Sequence, residues 1–164
     1  MTNTELLRSA QDYAARRSLE VNDAMRLGYG NDGAVWLTNM QTAIKAFARI
    51  DNYRIELECY QRFRNEKITH IRGFEVPQLI DFDNELAVIE MSVVKPPFLL
   101  DFGKVHLDKR PDFPAESLQE WRDEMKELWE GHWPEVRLLL AALERYGIYY
   151  LDAKPRNIMF APSS

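Results

Sequence analysis

The chain has 164 residues, of which 46% are hydrophobic and 29% are charged. This balance is typical of a globular domain with a buried core, and it excludes extensive disorder. The formal net charge is −5. Such a chain has no broad attraction for nucleic-acid phosphates, so we expect no nucleic-acid partner.

The cysteine count and the hydropathy pattern bear on cellular location. Cys59 is the single cysteine and cannot form an internal disulfide, which predicts a reducing, cytoplasmic setting. The first residues contain no apolar signal-peptide core. No apolar run approaches the roughly 20 residues that a membrane helix needs. We therefore expect a cytoplasmic protein with no membrane partner.

Residue spacing in the first half predicts helices at 4–17 and 51–64, with Asn3 or Thr4 as the first N-cap. A glycine-rich turn at 28–33 and a polar turn at 38–41 separate short strands between these helices. These strands are predicted at 19–27, 34–38 and 42–47.

The second half begins with two further strand candidates, 78–82 and 85–91. Lys95-Pro96-Pro97 then interrupts regular structure and is interpreted as a hinge. Two helices are predicted after the hinge, at 115–130 and 134–146. Strands and helices segregated in this way indicate an α+β fold with an antiparallel sheet.

A glycine loop at 28–33 could bind phosphate, because glycines let backbone N–H groups approach phosphate oxygens closely. An ordinary hairpin turn is the alternative interpretation. A Rossmann motif is disfavoured, because a strand follows the loop and not a helix. The candidate ligand-binding residues of this segment are Gly28, Gly30, Gly33 and Val35.

Lys45 lies between apolar residues on a predicted strand, where its ammonium could neutralise phosphate charge. A surface lysine is the alternative. Glu56 or Glu58 in the next helix could hold the ammonium in position. These two glutamates lie 200° apart on a helical wheel, so only one of them can face inward.

A polar loop near the end of the sequence contains the groups that phosphoryl transfer requires. Asp152 offers a carboxylate for the acceptor hydroxyl, Lys154 a cation for the moving phosphoryl group, and Asn157 an amide oxygen for Mg²⁺. A polar turn built around Pro155 is the alternative.

Together these motifs resemble the protein-kinase-like superfamily. The matching segments are 27–35, 43–45, 55–63, 87–91 and 150–160. The resemblance implies a protein-kinase-like fold, with an antiparallel-sheet amino lobe and a minimal, mainly helical carboxyl lobe that lacks the activation segment. It also implies an amino-terminal helical extension. The corresponding ranges are 1–18 for the extension, 19–94 for the amino lobe and 95–164 for the carboxyl lobe.

The resemblance also implies roles for individual residues. Lys45 would bind the α- and β-phosphates of ATP and pair with Glu56. Ile89 would be the gatekeeper, and backbone groups from Glu90 to Ser92 would meet adenine. The catalytic loop would supply Asp152 as the base, Lys154 as a γ-phosphate contact and Asn157 as a Mg²⁺ ligand.

The sequence departs from the family pattern in two main ways. Tyr150-Leu151 replaces the usual His-Arg before the catalytic aspartate, so reading of a phosphorylated activation loop is not expected. No Asp-Phe-Gly follows Asn157, although its aspartate would chelate Mg²⁺. Asp101-Phe102-Gly103 does occur, but before the catalytic loop, and it is interpreted as a coincidental turn beside the hinge.

These features predict an ATP-binding, kinase-like protein in which phosphotransfer is weak or absent, a pseudokinase. An active minimal serine/threonine or small-molecule kinase is one alternative. Lys154, two residues after Asp152, is similar to the serine/threonine protein kinases; the aminoglycoside and choline phosphotransferases usually carry another residue there. The sequence also resembles compact bacterial kinase-like proteins. An interaction module with a protein partner and no nucleotide is the other alternative.

Overall fold

Helices and strands are taken from a computed structural model of the chain that describes residues 1–163. The helices are α1 (Asn3–Arg16), α2 (Ile50–Asn65), α3 (Ala115–Trp129) and α4 (Trp133–Glu144). The strands of the main sheet and its connections are β1 (Val21–Gly30), β2 (Gly33–Thr38), β3 (Thr42–Phe47), β4 (His70–Ile71), β5 (Phe74–Glu75), β6 (Leu79–Asp83) and β7 (Val88–Ser92). The later strands are β8 (Phe98–Leu99), β9 (His106–Leu107), β10 (Ile148–Tyr149) and β11 (Ile158–Met159).

Five antiparallel strands form the main sheet, in the order β1-β2-β3-β7-β6. β3 lies in the middle, and its residues are buried or half-buried along their whole length. Because side chains alternate between the two faces of a strand, Ala43 and Lys45 face one side of the sheet, and Ile44 and Ala46 face the other. Both faces of the sheet are buried at β3, and a different helix covers each of them.

Helix α1 covers the face that carries Ile44. Thr2 caps this helix, since its side chain accepts from the Glu5 N–H while Glu5 Oε2 accepts from the Thr2 N–H. The predicted caps, Asn3 and Thr4, are wrong by one or two residues, because the reciprocal capping box requires the threonine three positions before Glu5. Tyr13, fully buried, donates to Oε1 of Glu90 in β7 at 3.0 Å and anchors α1 to the sheet.

Helix α2 packs on the opposite face, and its buried side joins the larger core of the molecule. This core continues from α2 into the carboxyl-terminal part without interruption. Phe63 of α2 belongs to it together with Leu139 and Leu143 of α4. The sheet-containing part and the helical part are thus joined by a common apolar interior.

Two short strand pairs organise the segments around the predicted hinge and catalytic loop. β8 pairs antiparallel with β11, with Leu99 opposite Ile158, and also lies beside β5. β9 pairs antiparallel with β10. The α+β class, with an antiparallel sheet followed by a mainly helical part, is confirmed. Within residues 1–163, no helix has both the length and the apolar character required to cross a membrane.

Candidate functional site

Lys45 is the centre of a buried ionic cluster between the sheet and α2. Its Nζ lies 3.0 Å from Oε1 of Glu56 and 3.2 Å from Oδ1 of Asp101. Glu56 is fully buried, whereas the side chain of Glu58 is 46% exposed and pairs with Arg62. Glu56 is therefore the glutamate that faces the lysine.

The charges in this cluster determine its protonation. Burial alone lowers the pKa of Lys45, but Glu56 and Asp101 outweigh that effect and raise it above the ordinary 10.5. Burial raises the pKa of Glu56, and the Lys45 charge opposes the rise. Oε1 of Glu56 also accepts the Phe102 N–H at 2.7 Å. Lys45 is thus positively charged, and its ammonium is held by the carboxylate oxygens of Glu56 and Asp101.

The interpretation of Asp101-Phe102-Gly103 as a coincidental turn is wrong. Asp101 lies against Lys45, and it shares one pocket with Asp152 and Asn157 of the predicted catalytic loop. The antiparallel pairing of β8 with β11 brings this about, because Asp101 follows β8 while Asn157 immediately precedes β11. Asp101 therefore lies beside the predicted catalytic loop although it comes well before that loop in the chain.

Local geometry also marks Asp101 as a special position. Its φ of 69° lies in the left-handed region, which non-glycine residues seldom adopt and which aspartate tolerates better than most. Strain of this kind persists where surrounding contacts fix the backbone. Here the Phe102 N–H bond to Glu56 and the Lys45 contact hold the two sides of the turn.

Phe102 ties the site to both parts of the molecule. The ring is fully buried and makes edge-to-face contacts with Tyr60 and Phe63 of α2 at centroid distances of 5.7 and 5.4 Å. It makes the same kind of contact with Tyr150, just before the catalytic loop, at 5.7 Å. Movement of Phe102 would therefore disturb α2 and the loop together.

The polar loop that contains Asp152 is fixed by hydrogen bonds to the segment before Asp101. The Tyr150 hydroxyl donates to the Leu100 carbonyl at 2.9 Å, and the Leu100 N–H donates to the Asn157 carbonyl at 2.9 Å. Asp152 Oδ1 lies 3.4 Å from Nζ of Lys154, and both side chains are about half exposed. The carboxylate of Asp152 is thus accessible, while its backbone setting is rigid.

The tip of the β1–β2 hairpin closes over this pocket. Asp32 accepts from Nδ2 of Asn52 at 2.9 Å and lies 3.2 Å from Nζ of Lys104. The cavity near Asp101 and Asp152 has a volume of about 30 Å³. Neither Asp32 nor Lys104 was a candidate site residue, because Asp32 is a non-glycine position of the glycine loop, Lys104 belongs to no motif, and only the fold brings the two together.

The three glycines of the hairpin differ in their surroundings. A Cβ on Gly33 would lie 2.2 Å from the Ala46 carbonyl oxygen, so the strand pairing itself demands glycine there. A Cβ on Gly30 would meet nothing within 4 Å. Val35, on β2 opposite Lys45, is half-buried beside the larger core. The packing of the protein therefore does not require glycine at position 28 or 30.

The predicted adenine contacts lie inside the sheet. Glu90 is paired with β3 and with β6, and its side chain accepts from Tyr13 and from Thr42 on the α1 side. The Ser92 N–H donates to the Gln78 carbonyl at 2.9 Å. Neither residue lines the pocket around Asp101. The ionic cluster and catalytic loop are thus brought together, and Glu90 and Ser92 lie apart from them.

Comparisons with known proteins give likenesses to solved structures, without a match in sequence. No protein-family model and no curated protein sequence matches the chain. A solved structure, the ternary complex of APH(2″)-IIa with streptomycin and ATP, matches with 15% sequence identity and a TM-score of 0.35. The match covers 77% of this chain and 52% of the other, so the chain spans about half the length of that protein.

Proposed function

We propose that this protein binds ATP with Mg²⁺ and transfers the γ-phosphoryl group to an acceptor hydroxyl. The observation that carries the proposal is that Asp101, which contacts Lys45, also lines one pocket with Asp152 and Asn157. Phosphoryl transfer is catalysed mainly by positioning and charge stabilisation, and these four residues offer the groups it needs.

Lys45 is suited to hold the phosphates of the nucleotide. Its raised pKa keeps it a cation, and Glu56 fixes the ammonium in a buried position. The second carboxylate contact, to Asp101, is one that phosphate oxygens could replace, because the Asp101 side chain is 32% exposed whereas Glu56 is fully buried. Glycines at 28 and 30 would let the hairpin backbone come close to the same phosphates.

The donor groups fit a magnesium ion that is held partly by substrate. Asp101 offers its Oδ2, which has no hydrogen-bond partner among residues 1–163, and Asn157 offers an amide side chain in the same pocket. Magnesium prefers oxygen ligands and is usually bound through one or two protein groups together with phosphates and water. Within residues 1–163, no group of three His, Cys, Asp or Glu side chains is placed for a metal. When bound, Mg²⁺ neutralises charge on the phosphate oxygens.

Asp152 is suited to receive the acceptor proton. Oδ1 is paired with Lys154, and the side chain of Asp152 is about half exposed. In the transfer, the acceptor oxygen forms a bond to the γ-phosphorus while the bond from that phosphorus to the β–γ bridging oxygen breaks. The hydroxyl proton passes to the carboxylate of Asp152, ADP leaves, and Lys154 would supply a cation for the transferred group.

In our proposal the β1–β2 hairpin lifts when the nucleotide enters. The Asp32–Lys104 bridge lies across the pocket at the tip of this hairpin. Both side chains are partly exposed, at 22% and 52%, so this bridge is weak and its opening costs little.

Thermal unfolding with ATP, with and without Mg²⁺, and transfer of labelled γ-phosphate test the proposal. A ligand that binds the folded state raises its stability, so ATP with Mg²⁺ should raise the Tm. Asp101→Asn should lose the metal-dependent part of this shift. Asp152→Asn should keep the shift and lose transfer. Asp12→Asn, an exposed aspartate of α1, is the matched control and should behave as wild type.

The outcomes separate the three functional hypotheses. A shift followed by transfer supports the phosphotransferase. A shift without transfer to any acceptor favours an ATP-binding protein with weak or absent phosphotransfer. No shift with any nucleotide would favour a protein-interaction module and overturn the proposal.

A further inference from the structure

A second concavity lies on the helical part, between α3 and α4. We call it the basic groove, and it is lined mainly by Gln119, Arg122, Lys126, Trp133, Arg137 and Ala141, with a volume of about 630 Å³. The wall is formed by Trp121 and Trp133, whose rings meet edge to face at 5.8 Å. None of the candidate phosphate- or metal-binding residues belongs to it.

The charge of the groove is opposite to that of the whole chain, which is −5. Arg110 at one end is neutralised by Glu144, whose oxygens lie 2.7 and 2.8 Å from its Nη2. Arg122, Lys126 and Arg137 are exposed, and none forms a salt bridge among residues 1–163. Three unneutralised cations therefore face one groove.

Helix α3 is not basic all round, although Arg122 and Lys126 both belong to it. At 3.6 residues per turn, Arg122 and Lys126 lie on one side of α3, one turn apart. Glu120 and Glu124 lie on the far side of the helix axis, whereas Glu127 lies about 100° and Asp123 about 60° from Lys126. Asp123 accepts from Nε2 of Gln119 at 3.0 Å. Like charges one turn apart disfavour the helix. An anionic ligand in the groove would relieve this repulsion.

Trp121 connects the groove to the predicted catalytic loop. Its Nε1 donates to the Leu151 carbonyl at 2.9 Å, one residue before Asp152. A smaller pocket of about 80 Å³ shares Arg110 and Trp121 with the groove and is also lined by Leu151. Leu151 also lines the pocket that contains Asp101 and Asp152. A ligand seated in the groove would therefore extend towards the proton acceptor.

We infer that the basic groove binds an acidic peptide segment of a protein acceptor and so directs its hydroxyl-bearing residue to Asp152. This inference rests on the proposed function for the role of Asp152. A peptide fits better than a single small anion, because the lining of α3 from Gln119 to Lys126 extends about 10 Å along the helix and α4 adds a cation on the opposite wall. Trp121 and Trp133 offer an apolar surface for a neighbouring side chain of that segment.

The test measures binding of a fluorescent synthetic peptide, a serine flanked by glutamates with one leucine, by anisotropy and without nucleotide. Wild type should bind it and should not bind the peptide in which lysines replace the glutamates. Arg122→Glu/Arg137→Glu should weaken binding about tenfold or more, since two favourable charge contacts become repulsive. Arg54→Glu/Arg64→Glu, two exposed arginines of α2, makes the same change in net charge and should keep the affinity.

Several results would overturn the inference. These are equal binding by wild type and the groove variant, an equal loss in the α2 control, and tighter binding of an RNA oligonucleotide of the same charge. The ATP-induced Tm shift of the groove variant should remain that of wild type, because the groove residues lie outside the phosphate site. Absence of that shift in wild type would reject the proposed function, whereas its presence without peptide binding would reject only the groove.

Discussion

The carboxylate of Asp101 lies 3.2 Å from the ammonium of Lys45, although 56 residues separate them in the chain. Glu56 holds the same ammonium from the other side and also accepts the N–H of Phe102. Oε1 of Glu56 in α2 thereby contacts both Lys45 in β3 and the N–H of Phe102, the residue after Asp101. Separate variants can test what this cluster contributes to protein stability and to the proposed binding of ATP.

Removal of the Glu56 carboxylate should destabilise the protein strongly. Glu56→Ala leaves Lys45 with Asp101 alone and leaves the Phe102 N–H without its acceptor. We expect a loss of about 3 kcal/mol in the free energy of unfolding, measured by urea titration, as is found when one partner of a buried ion pair is removed. Glu58→Ala, two residues away, removes only a partly exposed pair with Arg62 and should cost less than about 1 kcal/mol. Equal losses in the two variants would contradict the assigned pairing.

Two glycines of the β1–β2 hairpin should respond differently to the same substitution. Gly33→Ala would place a Cβ 2.2 Å from the Ala46 carbonyl oxygen and force the strands apart. We expect about 1–3 kcal/mol of destabilisation, as for overpacking in a core. Gly30→Ala meets nothing within 4 Å and should change stability by less than about 0.5 kcal/mol. Its effect should appear in the ATP-induced Tm shift, which we expect to be smaller than in wild type.

The hydrogen bond between Trp121 and the Leu151 carbonyl should matter for the position of the catalytic loop. Trp121→Phe removes the Nε1 donor, while Trp129→Phe removes an Nε1 that is buried without a partner. Both changes delete the same atoms, so their difference reports the hydrogen bond. We expect Trp121→Phe to be the less stable variant by about 1 kcal/mol in urea titration. Indistinguishable unfolding free energies would mean that the loop does not depend on this contact.

Acid should weaken the docking of α1 through Asp83. Arg16 and the N–H groups of Leu86 and Glu85 donate to its carboxylate and, against the opposing effect of burial, lower its pKa below the ordinary 3.8. Because the folded-state pKa is the lower one, this stabilisation is fully present above pH 3.8 and is lost as the pH falls through the folded-state pKa. Unfolding free energies measured between about pH 5 and pH 2 should therefore fall less steeply in Asp83→Asn than in wild type.

The control for the acid experiment is Asp12→Asn. Asp12 is exposed and lies on α1, the helix that contains Arg16. It makes no hydrogen bond among the described residues, so its variant should follow the wild-type curve. A wild-type slope in Asp83→Asn would exclude Asp83 as the group responsible.

Local patterns were sufficient for the long elements. The helical spacing of 51–64 and 134–146 and the turns around 34–38 and 42–47 predicted α2, α4, β2 and β3 to within two residues. These elements have strong periodicity and clear breakers, so local information specifies them. β8 and β11 have two residues each, and only their pairing across almost 60 positions of chain defines them as strands.

The position of Asp101 illustrates the limit for the site. Its Asp-Phe-Gly was visible in the sequence, but the expected order of motifs argued against a role for it. The order of segments along a chain does not determine which strands become neighbours, and the antiparallel pair of β8 and β11 reverses the expected order. Glu56 and Glu58 were likewise equivalent in pattern, and only the packing of α2 against the sheet selects between them.

The early place of Asp101 in the chain has a consequence for biosynthesis. Proteins leave the ribosome from the amino terminus, and domains begin to fold in that direction. Both carboxylates that contact Lys45 precede Asp152 and β11 in the chain and are therefore synthesised before them. A nascent chain thus contains Lys45, Glu56 and Asp101 before Asp152 is made, and β11 can pair with β8 only afterwards.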